Sequence, residues 1–450
     1  MHGKRRLGQA FPEAMMNNPT FCISISNKTS IKQPFQHQSS SFYRTNPCLE
    51  CSTRTSKKGA AMKIVLLGAG HIGLAIARRL HGCGDYEVLA ADRDAAALAP
   101  LAQLGVATEC ADFSDAACLQ ALLARGDAVV NALPWHMAIT VAEAARAAGV
   151  HYFDLTEDVQ ATRRIMQLAQ DAGSAFMPQC GLAPGFIGIA AHHLAQEFDD
   201  IAEIKMRVGA LPEFPTNEIK YNLTWSVDGL VNEYCHPCEA IRDGRLQEVQ
   251  PLEGLEHFSL DGVEYEAFNT SGGLGTLCTT LAGRAANLDY KSVRYPGHRD
   301  LLRFLLEGLR LKEQPALLKD ILRHAVPATM QDVVLVFVTV SGHRNGQYLQ
   351  RVFSRKVFAH EADGVHESAI QITTAASVCA ALDLFAAGRL PQRGFIRQEQ
   401  IALPDLLGNR FGRAYAGEAA PEHPARRSYT APIASQGEQH DSPSPQPLAA

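Results

Sequence analysis

Met62-Lys-Ile-Val-Leu-Leu-Gly-Ala-Gly-His-Ile-Gly73 is an apolar run, a glycine-punctuated turn and the opening of an amphipathic segment, in that order. Gly68, Gly70 and Gly73 have G-x-G-x-x-G spacing, and each glycine has a separate physical task. The first permits a tight turn after a strand, the second lets the backbone approach a pyrophosphate, and the third lets helix and strand pack closely. The phosphates then rest on the amides that begin the helix, around His71 and Ile72. An acid belongs about twenty residues further on, at the end of the next strand, to accept the adenosine-ribose hydroxyl protons. Asp92 stands there. Its charge opposes a 2′-phosphate, while Arg93 beside it can stack on adenine or pair with such a phosphate. The expected cofactor is NAD, with NADP possible.

Outward from this motif the chain keeps alternating short apolar runs with helix-period segments. Strands are predicted at Lys63–Leu67, Tyr86–Ala91, Val106–Cys110, Ala128–Leu133, His151–Leu155 and Ala175–Met177, with helices starting near His71, Ala95, Ala116, Met137 and Val159. Gly84, Gly105, Gly126, Gly149 and Gly173 each fall where such a helix should stop. Repeated βα units with buried strands imply a doubly wound parallel Rossmann sheet over 62–185. Period-2 alternation then takes over at Lys205–Val208, Lys220–Trp225, Val263–Ala267, Val333–Val340 and Leu349–Ala359. Helical stretches are expected at Ile187–Phe198, Arg299–Leu311 and Ala316–His324. Residues 186–368 therefore read as a second α+β domain carrying a mainly antiparallel sheet. The Ala-rich segment Ala369–Ala387, closed by Gly388, is expected to pack back on the Rossmann domain within a 369–415 segment.

The 450 residues are 46% apolar and 20% charged with a net charge of −5, which excludes a mainly disordered chain and argues against nucleic acid as a partner. No uncharged apolar run is long enough to suggest a membrane span. Eleven scattered cysteines read as reduced thiols and point to the cytoplasm. The first 61 residues, whose only acids are Glu13 and Glu50, are Ser-rich and basic like an organelle transit peptide. A translation start at Met62 is the preferred alternative, because no Arg-studded amphipathic helix runs through the leader. The tail over 416–450 is expected to be disordered.

Ligands of open α/β sheets bind outside the carboxyl ends of the strands. Asp112 can meet the adenine amino group there or serve as a solvated turn acid, and Asn131 to Leu133 leave room for the dinucleotide. Asp154 and Glu157, at the next strand end, are candidates for holding or deprotonating an amine, with Asp158 as a helix cap. Cys180, in Pro178-Gln-Cys-Gly-Leu-Ala-Pro-Gly185, either offers a thiol by the nicotinamide or sits in a plain crossover turn. The pair Cys235 and Cys238 has no second ligand cluster at metal spacing, so no metal site is expected.

Gly68–Gly73, Asp92-Arg93, Asn131–Pro134 and Cys180–Gly185 together resemble the saccharopine dehydrogenase superfamily, whose members act on C–N bonds next to lysine-like carbons. Tyr221–Ser226, Glu239–Gly244, Thr270–Leu277 and Leu288–His298 are similar to its L-lysine 6-dehydrogenase branch. The resemblance implies NAD-dependent oxidative deamination of the L-lysine ε-amino group, giving an aldehyde and ammonia, by a homo-oligomer. The saccharopine-forming members have Gly-Leu-Asp-Pro-Gly at the crossover, where this chain has Ala183. Under this reading the α-carboxylate falls to Arg242 or Arg284, with Arg294 behind. Tyr221 and Thr224 supply hydroxyls from a strand, and His298 is a conceivable proton carrier. The alternatives are a saccharopine- or carboxynorspermidine-type enzyme acting on a secondary amine, and a non-catalytic NAD(P) sensor.

Overall fold

A computed structural model describes residues 61–362 and 364–417. The expected leader, but for its last residue, and the expected tail, but for its first two, lie outside the described residues. Six βα repeats come first: β1 (Met62–Leu67), α1 (His71–Gly82), β2 (Tyr86–Asp92), α2 (Ala95–Gln103), β3 (Ala107–Cys110), α3 (Ala116–Leu123), β4 (Ala128–Asn131), α4 (Ala138–Ala148), β5 (His151–Asp154), α5 (Val159–Leu168) and β6 (Ala175–Met177), followed by α6 (Phe186–Ala195). Their local causes are visible. Asp94, Asp115 and Asp158 accept backbone N–H bonds as N-caps of α2, α3 and α5. Gly84, Gly105 and Gly149 take positive φ just past α1, α2 and α4. Gly126 and Gly173 follow the ends of α3 and α5 without the positive φ of the other three. Gly126 is small for another reason: a Cβ there would lie 2.7 Å from Val65 Cγ2.

The second half holds β7 (Asp200–Pro212), α7 (Val227–Cys235), β8 (Cys238–Arg242), β9 (Arg245–Val249), β10 (Glu256–Leu260), β11 (Val263–Asn269), α8 (Leu277–Thr280), β12 (Ala285–Arg294), α9 (His298–Arg303), α10 (Pro315–Ala325), β13 (Asp332–Arg344), β14 (Gln347–Phe358), β15 (His360–Ala362) and β16 (Val365–Glu367). The chain then closes with α11 (Ala369–Ala386), β17 (Gly394–Phe395) and α12 (Leu403–Gly408). The first sheet runs β17-β6-β5-β4-β1-β2-β3, and every pairing in it is parallel. Its order reverses between β1 and β4, the switch point where a ligand crevice opens. The eight-stranded second sheet runs β10-β11-β12-β7-β13-β14, with β8 paired to β12 and β9 to β8, and only β12 with β7 is parallel. The fold is thus a doubly wound parallel sheet joined to a second domain with a mainly antiparallel sheet.

Among the departures from the expectation, which include the unanticipated β8, β9, β10, α8, β15, β16, β17 and α12, three have a visible local cause. Lys220–Trp225 is not a strand, because the Asn217 side chain bonds both the N–H and the carbonyl of Tyr221 and Lys220 sits at φ +50°. The helix α7 was not anticipated, although Ser226 caps it through Gly229 N. The strand β12 was hidden by its charges: Asp289 and Lys291 are buried, held by Arg207 from the adjacent β7 and Glu256 from β10, two strands away. One apolar interior spans both sheets, with α6 and α11 at its centre. The helix α11 is long and apolar enough to cross a membrane, yet most of it is buried against α1 and β13.

The close approach of α1 to β1 generates a test. A Cβ on Gly73 would sit 1.9 Å from the Gly68 carbonyl oxygen, a backbone atom that cannot step aside. Gly73→Ala should lower stability by about 1–3 kcal/mol, read by urea denaturation, with weaker dinucleotide binding by calorimetry.

Candidate active site

The switch point fits a dinucleotide. No side chain caps α1, so its first N–H groups are free to face an anion. A Cβ on Gly70 would meet nothing within 4 Å, which leaves open space above those amides. Asp92 holds the turn in place: its carboxylate accepts from Ala69 N at 2.7 Å and Asp94 N at 2.9 Å. Arg93 and His71 are exposed beside it, and Ile72 and Leu133 are half-buried. Leu133 Cδ2 would lie 3.3 Å from a Cβ on Gly68, so Leu133 forms the floor under the first glycine. Asp112 is exposed and accepts from Ser114 N at 2.9 Å, which holds its carboxyl below the usual range. That geometry is the turn acid of the two readings.

Past β5 the chain makes a hydrogen-bonded tie. Asp154 accepts from Tyr152 Oη at 2.6 Å, Gln179 N at 2.8 Å and Thr156 N at 3.0 Å. Burial pushes its carboxyl up to about 6, and these three donors hold it there against a larger rise. Asn131 supports the tie through Tyr152 and accepts from Leu133 N. Asp154 thus joins the ends of β5 and β6, and its oxygens already have internal donors; this corrects its reading as an amine holder. Cys180 is corrected as well. It is fully buried, its thiol donates to Met177 O at 3.1 Å, and burial pushes its ionisation well up. It is packed into the core beneath the crossover rather than offered to the cleft.

Glu157 lies where expected, and it meets partners that the sequence reading missed. They come from α7, which carries Asn232, Glu233 and Tyr234, all buried. The loop from Ser271 to Gly275 links them: Ser271 N donates to Glu233 O, and Gly272 packs against the Glu157 backbone. Burial raises Glu157 to about 7, with help from Asp158 and opposition from Asn232. Burial likewise raises Glu233 to about 8; the Arg294 charge opposes the rise and the Glu157 charge adds to it. Both acids therefore exchange protons near neutrality.

Arg294 is the cation of this cluster. It is buried, Nε donates to Tyr234 Oη at 2.9 Å, and its guanidinium lies 5.0 Å from the Tyr221 ring centre. His298 fixes Tyr234 from behind. His298 Nδ1 lies 2.8 Å from the Ile219 carbonyl, an acceptor, so the ring proton sits on Nδ1 and Nε2 accepts from Tyr234 Oη at 3.1 Å. Burial, with the Arg294 charge, drops His298 to about 3, so it stays neutral and positions Tyr234. This corrects its reading as a proton carrier. The hydroxyls of Tyr221 and Thr224 and Asn232 Oδ1 are buried without hydrogen-bond partners, as groups awaiting a polar ligand would be.

Two arginines leave the site. Arg242 binds Asp289 at 2.8 Å, and Asp289 faces away from Tyr290, Ser292 and Arg294 by strand alternation. Arg284 is exposed after α8, close enough to His192 to lower its proton affinity. Among the described residues no group of three or more His, Cys, Asp and Glu is arranged to hold a metal. Burial raises both Cys235 and Cys238, the latter to about 12.

The raised Glu233 carboxyl has a measurable consequence. Its folded value of about 8 exceeds the ordinary 4.5, so its contribution is complete below pH ~4.5 and is lost as pH rises through 8. Glu233→Gln should match the parent near pH 4.5 and exceed it by about 2–4 kcal/mol near pH 8. Melting temperatures across that window give the reading; a constant offset would contradict the raised carboxyl.

Comparison with known proteins agrees with this architecture. The family model described as the saccharopine dehydrogenase NADP binding domain matches residues 64–177, and that for the saccharopine dehydrogenase C-terminal domain matches 181–411. A saccharopine dehydrogenase (NADP(+), L-glutamate-forming) of Pyricularia oryzae is 23% identical over 261 residues, covering 54% of this chain and 58% of that protein. The mitochondrial alpha-aminoadipic semialdehyde synthase of Bos taurus is 24% identical over 267 residues, 53% of this chain and 27% of its own length. These matches therefore span less than two thirds of either relative. The apo saccharopine dehydrogenase (L-Glu forming) structure from Saccharomyces cerevisiae superposes with a TM-score of 0.65 at 17% identity, covering 77% of this chain and 96% of that one, a likeness of fold. With both family domains in sequence on one chain, the protein belongs to the saccharopine dehydrogenase family and carries its NAD(P)-binding domain.

Proposed function

We propose that the protein is an NAD(P)-dependent dehydrogenase of an amino acid, and that it oxidises the ε-amino carbon of L-lysine to an aldehyde with release of ammonia. The observation that carries this reading is the arrangement of charge in the cleft. Glu157 and Glu233, two acids that exchange protons near neutrality, interact with each other, and Glu233 adjoins a single buried guanidinium, Arg294. The other buried cations among the described residues, Arg207 and Lys291, are paired with Asp289 and Glu256. One cation suits a substrate with one carboxylate, and the acids suit its amine.

A bound dinucleotide supplies the hydride acceptor at its nicotinamide ring. The chain's own residues do the rest. Arg294, backed by Tyr234, holds the substrate carboxylate, and the Tyr221 hydroxyl adds a donor beside it. Glu157 takes the ammonium proton, because a protonated amine has no lone pair to assist hydride departure. Glu233 then accepts a proton from the water that adds to the substrate imine, and ammonia and the aldehyde leave. Burial of this cluster keeps bulk water away from the imine. The proposal includes a homo-oligomer, supported by the stacked, half-exposed Phe258 and Phe337 on the outer face of the second sheet.

A second reading is favoured by the names of the relatives: oxidation of a secondary amine such as saccharopine. Its extra carboxylates call for further cations in the cleft, and Ala183 stands where saccharopine-forming members have an acid. A screen of free amino acids and secondary amines, read as dinucleotide reduction and ammonia release, separates the two. L-lysine should be oxidised with NAD preferred, and Arg294→Met should raise KM for lysine on the order of a hundredfold with KM for NAD unchanged. Turnover of saccharopine but not lysine would transfer the assignment to the second reading.

A further inference from the structure

The segment after α11 returns to the site by an indirect route. Gly394 N donates to Ser174 O and Ile396 N to Phe176 O, so β17 lies along β6. The two residues that follow within that strap, Gln398 and Glu399, are both buried, and they reach two different loops. Gln398 Nε2 donates to Pro178 O at 2.7 Å and lies 3.2 Å from Cys180 Sγ, both at the start of the crossover to Gly185. Both Glu399 carboxylate oxygens lie 2.9 Å from the Thr276 hydroxyl, and Oε1 also accepts from Thr280 Oγ1. Thr276 ends the glycine-rich loop that touches Glu157 and Glu233. A Cβ on Gly275 would lie 3.4 Å from both Gln179 Oε1 and Pro184 Cβ, so the two loops already approach each other.

Neighbouring strap residues therefore hold opposite walls of the cleft. The crossover follows the Asp154 tie, and the glycine-rich loop packs on the Glu157 backbone and the Tyr290 ring. Charge-assisted bonds to a buried carboxylate are the strong kind, and Thr276 and Thr280 have no other side-chain acceptor among the described residues. Between Gly272 and Gly275, both at positive φ, the loop has little stiffness of its own. Its position is set from outside.

We propose that Gln398 and Glu399 are positioning residues, which clamp the crossover and the glycine-rich loop at the spacing that aligns Glu157 with the bound amine. The role of the spacing rests on the proposed amine site; the clamp itself does not.

Hydrogen exchange on the full chain separates the two. Glu399→Ala should speed amide exchange in 271–276 at least tenfold and Gln398→Ala should do so in 179–185, each with α1 and β1 amides and NAD affinity unchanged. The milder Thr276→Val should do the same in the glycine-rich loop, and Glu399→Gln, which keeps an acceptor oxygen, should restore most of the protection. In turnover, Glu399→Ala should raise KM for the amine about tenfold and leave KM for NAD as it was. Unchanged exchange in both loops, or a rise spread evenly over both sheets, would overturn the clamp. Faster loop exchange in a chain that oxidises no amine would keep the clamp and remove the amine reading instead.

Discussion

Burying carboxylates beside one guanidinium is the constraint from which the site follows. An ionised acid taken from water loses several kcal/mol of solvation unless something replaces it. Here Arg294 replaces part of it for Glu233, and the remainder appears as raised proton affinity in Glu233 and Glu157. That balance requires the guanidinium to stay where it is. Tyr234 holds it, and a neutral His298, its own proton fixed on the Ile219 carbonyl, holds Tyr234. A protonated His298 would set a second positive charge beside Arg294, and burial prevents this. The order of dependence runs from an imidazole to a phenol to a guanidinium to Glu233, and from there to Glu157.

The dinucleotide half was legible because its requirements are local. A glycine where a Cβ would strike a carbonyl, another where space must stay open, and an acid that ends β2 are needs that sequence spacing expresses directly. Strands β1, β4 and β6 of the first sheet were legible for a related reason: largely buried, they contain little but apolar residues. In the second domain the same reasoning loses its grip. The strand β12 is buried on both faces yet carries Asp289, Lys291 and Arg294, because partners from other strands neutralise two of them. Alternating residues at Lys220–Trp225 look like a strand, but the Asn217 side chain claims their backbone groups.

The site itself was half legible. Arg294 and Tyr221 were named and lie together, and Glu157 was named and lies by Glu233. Asp154 was named for the right location and the wrong task, since its hydrogen bonds run inward to Gln179 and Thr156. Glu233, Asn232 and Tyr234 were missed because a helix of nine residues, bounded by a loop and a Cys-x-x-Cys, gave too short a period to stand out. The Ser226 cap was the available signal. Membership of the saccharopine dehydrogenase family accounts for the two sheets and the NAD(P) crevice, while the proposed substrate rests on the buried charges alone.

The burial of α11 has a bearing on how the chain is made. The apolar side of α1, which carries Ile76 and Leu80, is covered by a helix some three hundred residues downstream. Synthesis from the amino end completes all six strands of the nucleotide crevice long before that cover exists. Until α11 emerges from the ribosome, the nascent first domain presents that greasy flank to its surroundings.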